Sequence, residues 1–187
     1  VESRDKGVST HSNTIPANIN ISTEKKPVLS IHPDQLSSRM SEHRATLTWQ
    51  HDGGEFTYKA FSREHRWDFG NGQVLDASAA PDFLGDKELV DPEQAYVASL
   101  SSCHALTFLA LCSLQEIAVE SYTDEAVGFL EKADDGKPWL ARVELRPKVT
   151  FGDGAMADTG RIKDLHHKAH LECFIARSVK TAITVID

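Results

Sequence analysis

From Arg44 onward the chain alternates apolar and polar residues in the manner of strands. Ala45-Thr46-Leu47-Thr48-Trp49 is one such run, Asp52-Gly53-Gly54 supplies a turn, and Phe56-Thr57-Tyr58-Lys59-Ala60-Phe61 reads as the next strand. Gly70-Asn71-Gly72 marks another turn ahead of Val74-Leu75-Asp76-Ala77. The period then changes. Asp91-Pro92-Glu93 offers a capping carboxylate, a proline at the first helical position and an acid in the first turn, so a helix is expected from Pro92 to about Ile117. Its apolar residues, among them Tyr96, Val97, Leu100, Leu106, Phe108, Leu109, Leu111 and Leu114, lie nearly all round. That predicts a helix buried at the centre of its domain.

A long hairpin follows, with Ala126 to Lys132 as its first arm, Asp134-Asp135-Gly136 as its turn and Trp139 to Phe151 as its second arm. In the second arm Val143, Leu145, Val149 and Phe151 share one side, while Arg142, Glu144, Arg146, Lys148 and Thr150 share the other. This is a sheet with one wet face, and Pro147 predicts an edge or a bulge. Gly152-Asp153-Gly154 ends the arm, a second helix is expected from about Arg161 to Val179, and Thr181 to Ile186 closes the chain as a strand. The order of elements predicts an α+β fold, not an alternating α/β sheet.

Residues 1–40 are rich in Ser, Thr, Asn and Pro, contain no aromatic residue and show no sustained period. Such a segment buries too little apolar surface to offset its own ordering entropy. It is read as a disordered extension or an appended tail, the alternative being an arm that orders on a partner subunit. Met40-Ser41-Glu42 reads as a natural start, which leaves residues 41–187 as one domain.

The chain has 187 residues, 40% hydrophobic and 26% charged, the balance of an ordinary globular protein. Lys and Arg number 20 against 28 Asp and Glu, a net charge of −8, and no basic stretch offers a surface for phosphates. Nucleic acid is therefore excluded as the expected partner. The apolar run Ala105 to Cys112 is broken by Thr107 and reads as too short to span a bilayer, and no secretory signal is recognisable. The expected compartment is the cytoplasm, where three widely spaced cysteines stay free unless they are redox-active, metal-bound or buried.

Cys103 lies midway along the first helix in Ser101-Ser102-Cys103-His104. Cys112, nine residues on in the most apolar stretch, reads as packing alone. Cys173 follows His166-His167-Lys168-Ala169-His170-Leu171-Glu172, and helical spacing places Leu165, Ala169 and Cys173 on one inward stripe. On the residues alone, Cys103 and Cys173 are either small core residues or two thiols that meet.

Asp91-Pro92-Glu93-Gln94, then Ser101-Ser102-Cys103-His104, then His170-Leu171-Glu172-Cys173, resembles the OsmC/Ohr family of thiol peroxidases. The family pattern is an Asn/Asp-Pro-Glu opening, a first Cys ten residues after that Glu, and a second Cys in a His-x-x-Cys stretch. The spacings here are ten residues from Glu93 to Cys103 and 70 from Cys103 to Cys173. The resemblance covers residues 41–187 and implies antiparallel sheets around a buried central helix, a second Cys-bearing helix and an intertwined homodimer with interfacial sites. It implies reduction of organic hydroperoxides to alcohols: Cys103 attacks, Cys173 resolves the sulfenic acid as a disulfide, and a dithiol reductant, lipoylated or thioredoxin-like, resets the pair. No cofactor or metal is implied. The family's strand arginine falls on Arg63, with Arg66 as competitor, and Glu93 would hold that guanidinium against the sulfur. Burial opposes ionisation of a thiol, and a guanidinium at hydrogen-bonding distance favours it. Phe174-Ile175 stands where Pro-Tyr often follows the second Cys, a departure in the local helix geometry.

Two further readings stand beside this one. His166 and His170, spaced i, i+4, would form a metal site with Cys103, His104 and Cys173 as added ligands, although no HExxH or paired CxxC is present. A non-catalytic ligand-binding homologue would keep the scaffold without the chemistry. His104 and His167 are otherwise read as packing or surface residues.

Overall fold

The computed structural model describes residues 41–152 and 158–186. The extension expected over residues 1–40 and most of the turn at Gly152-Asp153-Gly154 lie outside the described residues. The first three strands are β1 (Thr46–Thr48), β2 (His65–Asp68) and β3 (Val74–Ala77), and they form an antiparallel sheet in the order β1-β2-β3. The β2–β3 turn is made as its glycines require, with Gly70 at φ 72° and Gly72 at φ 86°, and Gly70 N–H donating to Asp68 Oδ1 at 2.7 Å.

The strand expected over Phe56 to Phe61 is not formed. Ala60 and Phe61 N–H both turn back to the Thr57 carbonyl at 3.0 Å, so this backbone satisfies itself locally. Its aromatic rings pack on one another and on Trp49, with Phe56 at 5.9 Å from Trp49 and 5.5 Å from Phe61. The Trp49 indole N–H donates to the Ser62 carbonyl at 2.8 Å, closing the loop over the edge of β1.

Helix α1 (Pro92–Leu114) begins where the sequence places it. Gln94 N–H donates to Asp91 Oδ1 at 2.7 Å, and Asp91 N–H donates to Gln94 Oε1 at 3.1 Å, a reciprocal capping box with Pro92 at the first helical position. The helix serves two core clusters. Its first half carries Leu100 against Val143 and Leu145, and its second half carries Phe108 and Cys112 against Ile117, Leu165 and Ala169. Truncating Phe108, fully buried here, would cost about 3–5 kcal/mol.

The expectation of a helix buried all round is corrected. Leu100, His104, Phe108 and Cys112, four residues apart, form the buried stripe, whereas Ala98, Ser102, Leu106, Ala110 and Leu114 form an exposed one. Leu106 is 66% exposed and Leu114 45%. A single chain covers one side of α1 only. By length and composition this helix would also suit a bilayer, unlike the short run read from the sequence, yet its covered side packs on the other elements of the fold.

After α1 come β4 (Val119–Asp124), β5 (Val127–Lys132), β6 (Pro138–Leu145) and β7 (Pro147–Phe151). β4 was not foreseen; it pairs antiparallel with β7. β5 and β6 form the expected hairpin, and β8 (Ala182–Val185) adds to β6 in parallel. The long second arm keeps its inside–outside alternation but changes sheets at Arg146–Pro147. Asp124 Oδ1 accepts the Arg146 N–H at 2.6 Å, so the break leaves that donor satisfied, and Pro147 has none to lose. Gly128 on β5 lets α1 approach, since a Cβ there would stand 2.5 Å from Val97 Cγ2.

The second helix is shorter than expected. It runs as α2 (Thr159–Glu172), breaks at Cys173, where ψ is 113°, and resumes as α3 (Phe174–Arg177). The α+β architecture therefore stands, with antiparallel sheets, one parallel pair and helices on the sheets.

Candidate active site

Cys103 projects half-buried from the middle of α1, and Cys173 sits 1% exposed at the break between α2 and α3. The two thiols lie close enough that Cys103 weighs on the ionisation of Cys173. Cys173 reaches this place as a helix cap, not as part of a continuous stripe: its Sγ accepts the Ala176 N–H at 3.4 Å and its carbonyl accepts the Arg177 N–H at 3.1 Å. Burial, followed by the hydrogen bond with Cys103, pushes the Cys173 thiol up to about 11 against the opposing pull of the Ala176 N–H. Cys173 is thus a protonated thiol at neutral pH. Cys112 is buried among Phe108, Leu165 and Ala169, its thiol also pushed up by burial, in keeping with a packing role.

Arg63 donates to the carbonyls of Phe61 and Tyr58 and lies 3.8 Å above the Phe61 ring centroid. The guanidinium forms one side of an apolar pocket of about 360 Å³ lined by Leu47, Trp49, Phe56, Phe61 and Pro92. Glu93, one residue after Pro92, lines a separate hollow of about 660 Å³ with Gln94, Ser101, Ser102 and Asp124. Among the described residues neither Glu93 nor Cys103 is a hydrogen-bond or ion-pair partner of Arg63. The expected Arg63–Glu93 pair is not made within one chain. Arg66 is committed elsewhere, its Nε donating to Asp76 Oδ1 at 2.8 Å across β2 and β3 on an exposed face, a pairing that raises its pKa.

The sequence reading passed over a buried imidazole pair. His104, read as packing or surface, is 1% exposed and its Nε2 lies 3.0 Å from His166 Nδ1 on α2. The rings stack with centroids 5.3 Å apart at 5°, and Phe108 covers His166 at 4.1 Å. The signal was available: His104 falls four residues from both Leu100 and Phe108, on the stripe that faces inward. Burial first, then the charges of His166 and His170, hold His104 down to about 4. Among the described residues, no three His, Cys, Asp or Glu side chains gather closely enough to hold a metal ion.

A stability consequence follows from His104. Its folded pKa of about 4 lies below the ordinary 6.5, so the unfolded chain binds the proton first, and stability is complete above pH 6.5 and lost as pH falls toward 4. The loss is on the order of 3 kcal/mol, at about 1.4 kcal/mol per unit. Urea unfolding at pH 7 and pH 4 should show that His104→Gln loses less than wild type by that amount; equal losses in both proteins would refute the assignment.

A family model described as OsmC-like protein matches residues 85–186. Among solved structures, an OsmC-like protein of unknown function from Vibrio cholerae is 44% identical, with 79% of this chain and 99% of that chain covered and a TM-score of 0.76. An organic hydroperoxide resistance protein OsmC from Legionella pneumophila is 18% identical over 79% of this chain and 95% of its own, TM-score 0.60. The organic hydroperoxide resistance protein OhrB of Bacillus subtilis is 17% identical over 78% and 95%, TM-score 0.55. The last two likenesses show the fold. No curated protein matches the chain.

Proposed function

This chain belongs to the OsmC-like protein family, and from that premise we propose that it is a thiol peroxidase that reduces organic hydroperoxides to alcohols. The observation that carries the reading is the meeting of Cys103 and Cys173, 70 residues apart in sequence, with only Cys173 fully buried. In the first step the Cys103 thiolate attacks the terminal peroxide oxygen and the O–O bond breaks. The alkoxide leaves and takes a proton as the alcohol, and Cys103 becomes a sulfenic acid. In the second step the Cys173 sulfur attacks the Cys103 sulfur. Hydroxide leaves as water with the thiol's proton, and a disulfide forms. Cys173, held protonated, is the partner that waits. A lipoylated or thioredoxin-like dithiol of the cytoplasm returns the pair to thiols by exchange.

The active unit is a homodimer. The exposed stripe of α1 supports this, because a second copy laid over it would cover Leu106 and Leu114, and the interfacial site that the family resemblance implies would then draw Arg63 from one copy and Glu93 and Cys103 from the other. Leu106→Glu should convert the dimer to monomers in sedimentation equilibrium and abolish turnover together. A dimer that persists with full activity would show that α1 is not the interface.

Steady-state consumption of cumene hydroperoxide with dihydrolipoamide as reductant tests the activity. The peroxidase reading expects many equivalents consumed per chain. Consumption that never exceeds one equivalent would favour the ligand-binding homologue.

A further inference from the structure

We propose that the His104–His166 pair is the positioning element of the thiol centre, fixing the register of α1 against α2 so that Cys103 meets Cys173. This rests on reading the two thiols as the reacting pair. His104 adjoins Cys103 on α1, and His166 lies on α2 seven residues before Cys173, the residue that ends that helix, so the pair ties together the two elements that carry the sulfurs.

Most of what holds α1 to α2 is apolar: Phe108 and Cys112 meet Leu165 and Ala169. Apolar contact is non-directional, and a core of suitable volume tolerates more than one arrangement. A slide by one residue moves a helix by about 1.5 Å and turns its side chains by roughly 100°. That slide would break the 3.0 Å bond between His104 Nε2 and His166 Nδ1 and turn Cys173 away from Cys103. Ring stacking at 5° and the cover of Phe108 fix the plane as the hydrogen bond fixes the distance. A second polar tie between the ends of these elements, Arg161 to Gln115 Oε1 at 3.0 and 3.3 Å, is exposed and open to screening.

The pair is a poor choice for stability alone. His104 Nδ1 is buried without a partner, a penalty that leucine in the same place would not carry. Buried polar pairs of this kind are best attested as devices that select one register.

The test is the equilibrium in which one glutathione disulfide oxidises the Cys103–Cys173 dithiol to its disulfide and releases two glutathiones, at pH 7 in a Cys112→Ser background. His104→Leu, which fills the space and removes the bond, should keep the melting temperature and lower the equilibrium constant by roughly fivefold, the worth of one ordinary net hydrogen bond. His104→Gln, with an amide N–H toward His166, should recover most of the loss. Ile117→Val, which loosens the same core but leaves the bond and the Phe108 stack, should leave the constant near wild type. If His104→Leu does not fold, His166→Leu removes the same bond from the other side. The proposal is overturned if the bond-deleting variant leaves the constant unchanged, if Ile117→Val lowers it equally, or if the wild-type pair takes no disulfide from glutathione. Because no peroxide enters the assay, a normal equilibrium in a protein that consumes no hydroperoxide would overturn the peroxidase reading and leave the positioning role intact.

Discussion

Cys103→Ser should end hydroperoxide turnover, with a fall of at least about 100-fold, or roughly 2.7 kcal/mol of lost transition-state stabilisation. The hydroxyl that replaces the thiol is not ionised at neutral pH and has no accessible sulfenic state. Cys173→Ser should behave differently. Cys103 still attacks once, so about one equivalent of peroxide is consumed per chain, and the protein then stalls at the sulfenic acid or is driven to the sulfinic acid by excess peroxide. The serine hydroxyl keeps the cap on the Ala176 N–H, so the stall reports lost chemistry and not a lost helix. Cys112→Ser, a change within the Phe108–Leu165 cluster, should turn over normally and lose at most stability. Stopped-flow peroxide consumption with intact-protein mass analysis separates the three. Multi-turnover activity in Cys103→Ser at the wild-type rate would overturn the assignment of the attacking sulfur.

In the proposed homodimer, with Arg63 facing Cys103 across the interface, Arg63→Ala should slow the reaction of the thiol centre with hydroperoxide at pH 7 by roughly tenfold or more, the effect of removing one opposite charge from a partly desolvated thiolate. Raising the pH should restore part of the rate, because hydroxide then ionises the thiol that the guanidinium no longer favours. Glu93→Ala should give a milder version, since the guanidinium remains but is no longer oriented. Arg66→Ala should stay near wild type, because Arg66 is paired with Asp76 on an exposed strand face. The proposed homodimer allows a further distinction. Mixing Arg63→Ala with Cys103→Ser protein should form heterodimers in which one site has both groups if Arg63 acts across the interface. Peroxide rates across pH 6 to 9 for each variant decide the matter; an unmoved Arg63→Ala profile beside a slowed Arg66→Ala would transfer the role to Arg66.

The legible parts of the fold were those whose causes are local. The α1 start is written in Asp91, Pro92 and Gln94, three residues that satisfy one another. The β5–β6 hairpin is written in its alternation and in the turn that Gly136 completes at φ 79°. What escaped depended on partners distant in sequence. Phe56 to Phe61 has strand composition, but its rings find Trp49 and its N–H groups find the Thr57 carbonyl before any ladder forms. The break at Cys173 was hidden because a thiol served as the cap where Ser or Asp would have announced one. His104 looked like a polar residue without a task until His166, 62 residues away, supplied its partner. Among the site residues, the sequence placed the two sulfurs on elements that bring them together. The Arg63–Glu93 pair, carried over by resemblance, is separated within one chain between two hollows.

The central claim is that Cys103 and Cys173 are one redox pair worked by an organic hydroperoxide. The native protein is mixed with one equivalent of cumene hydroperoxide, its remaining thiols are alkylated, and non-reduced digests are mapped by mass spectrometry. A single linkage joining the Cys103 and Cys173 peptides, with Cys112 alkylated, is the predicted result. Full alkylation of both Cys103 and Cys173 after the peroxide is added, or a linkage that runs through Cys112, would contradict it.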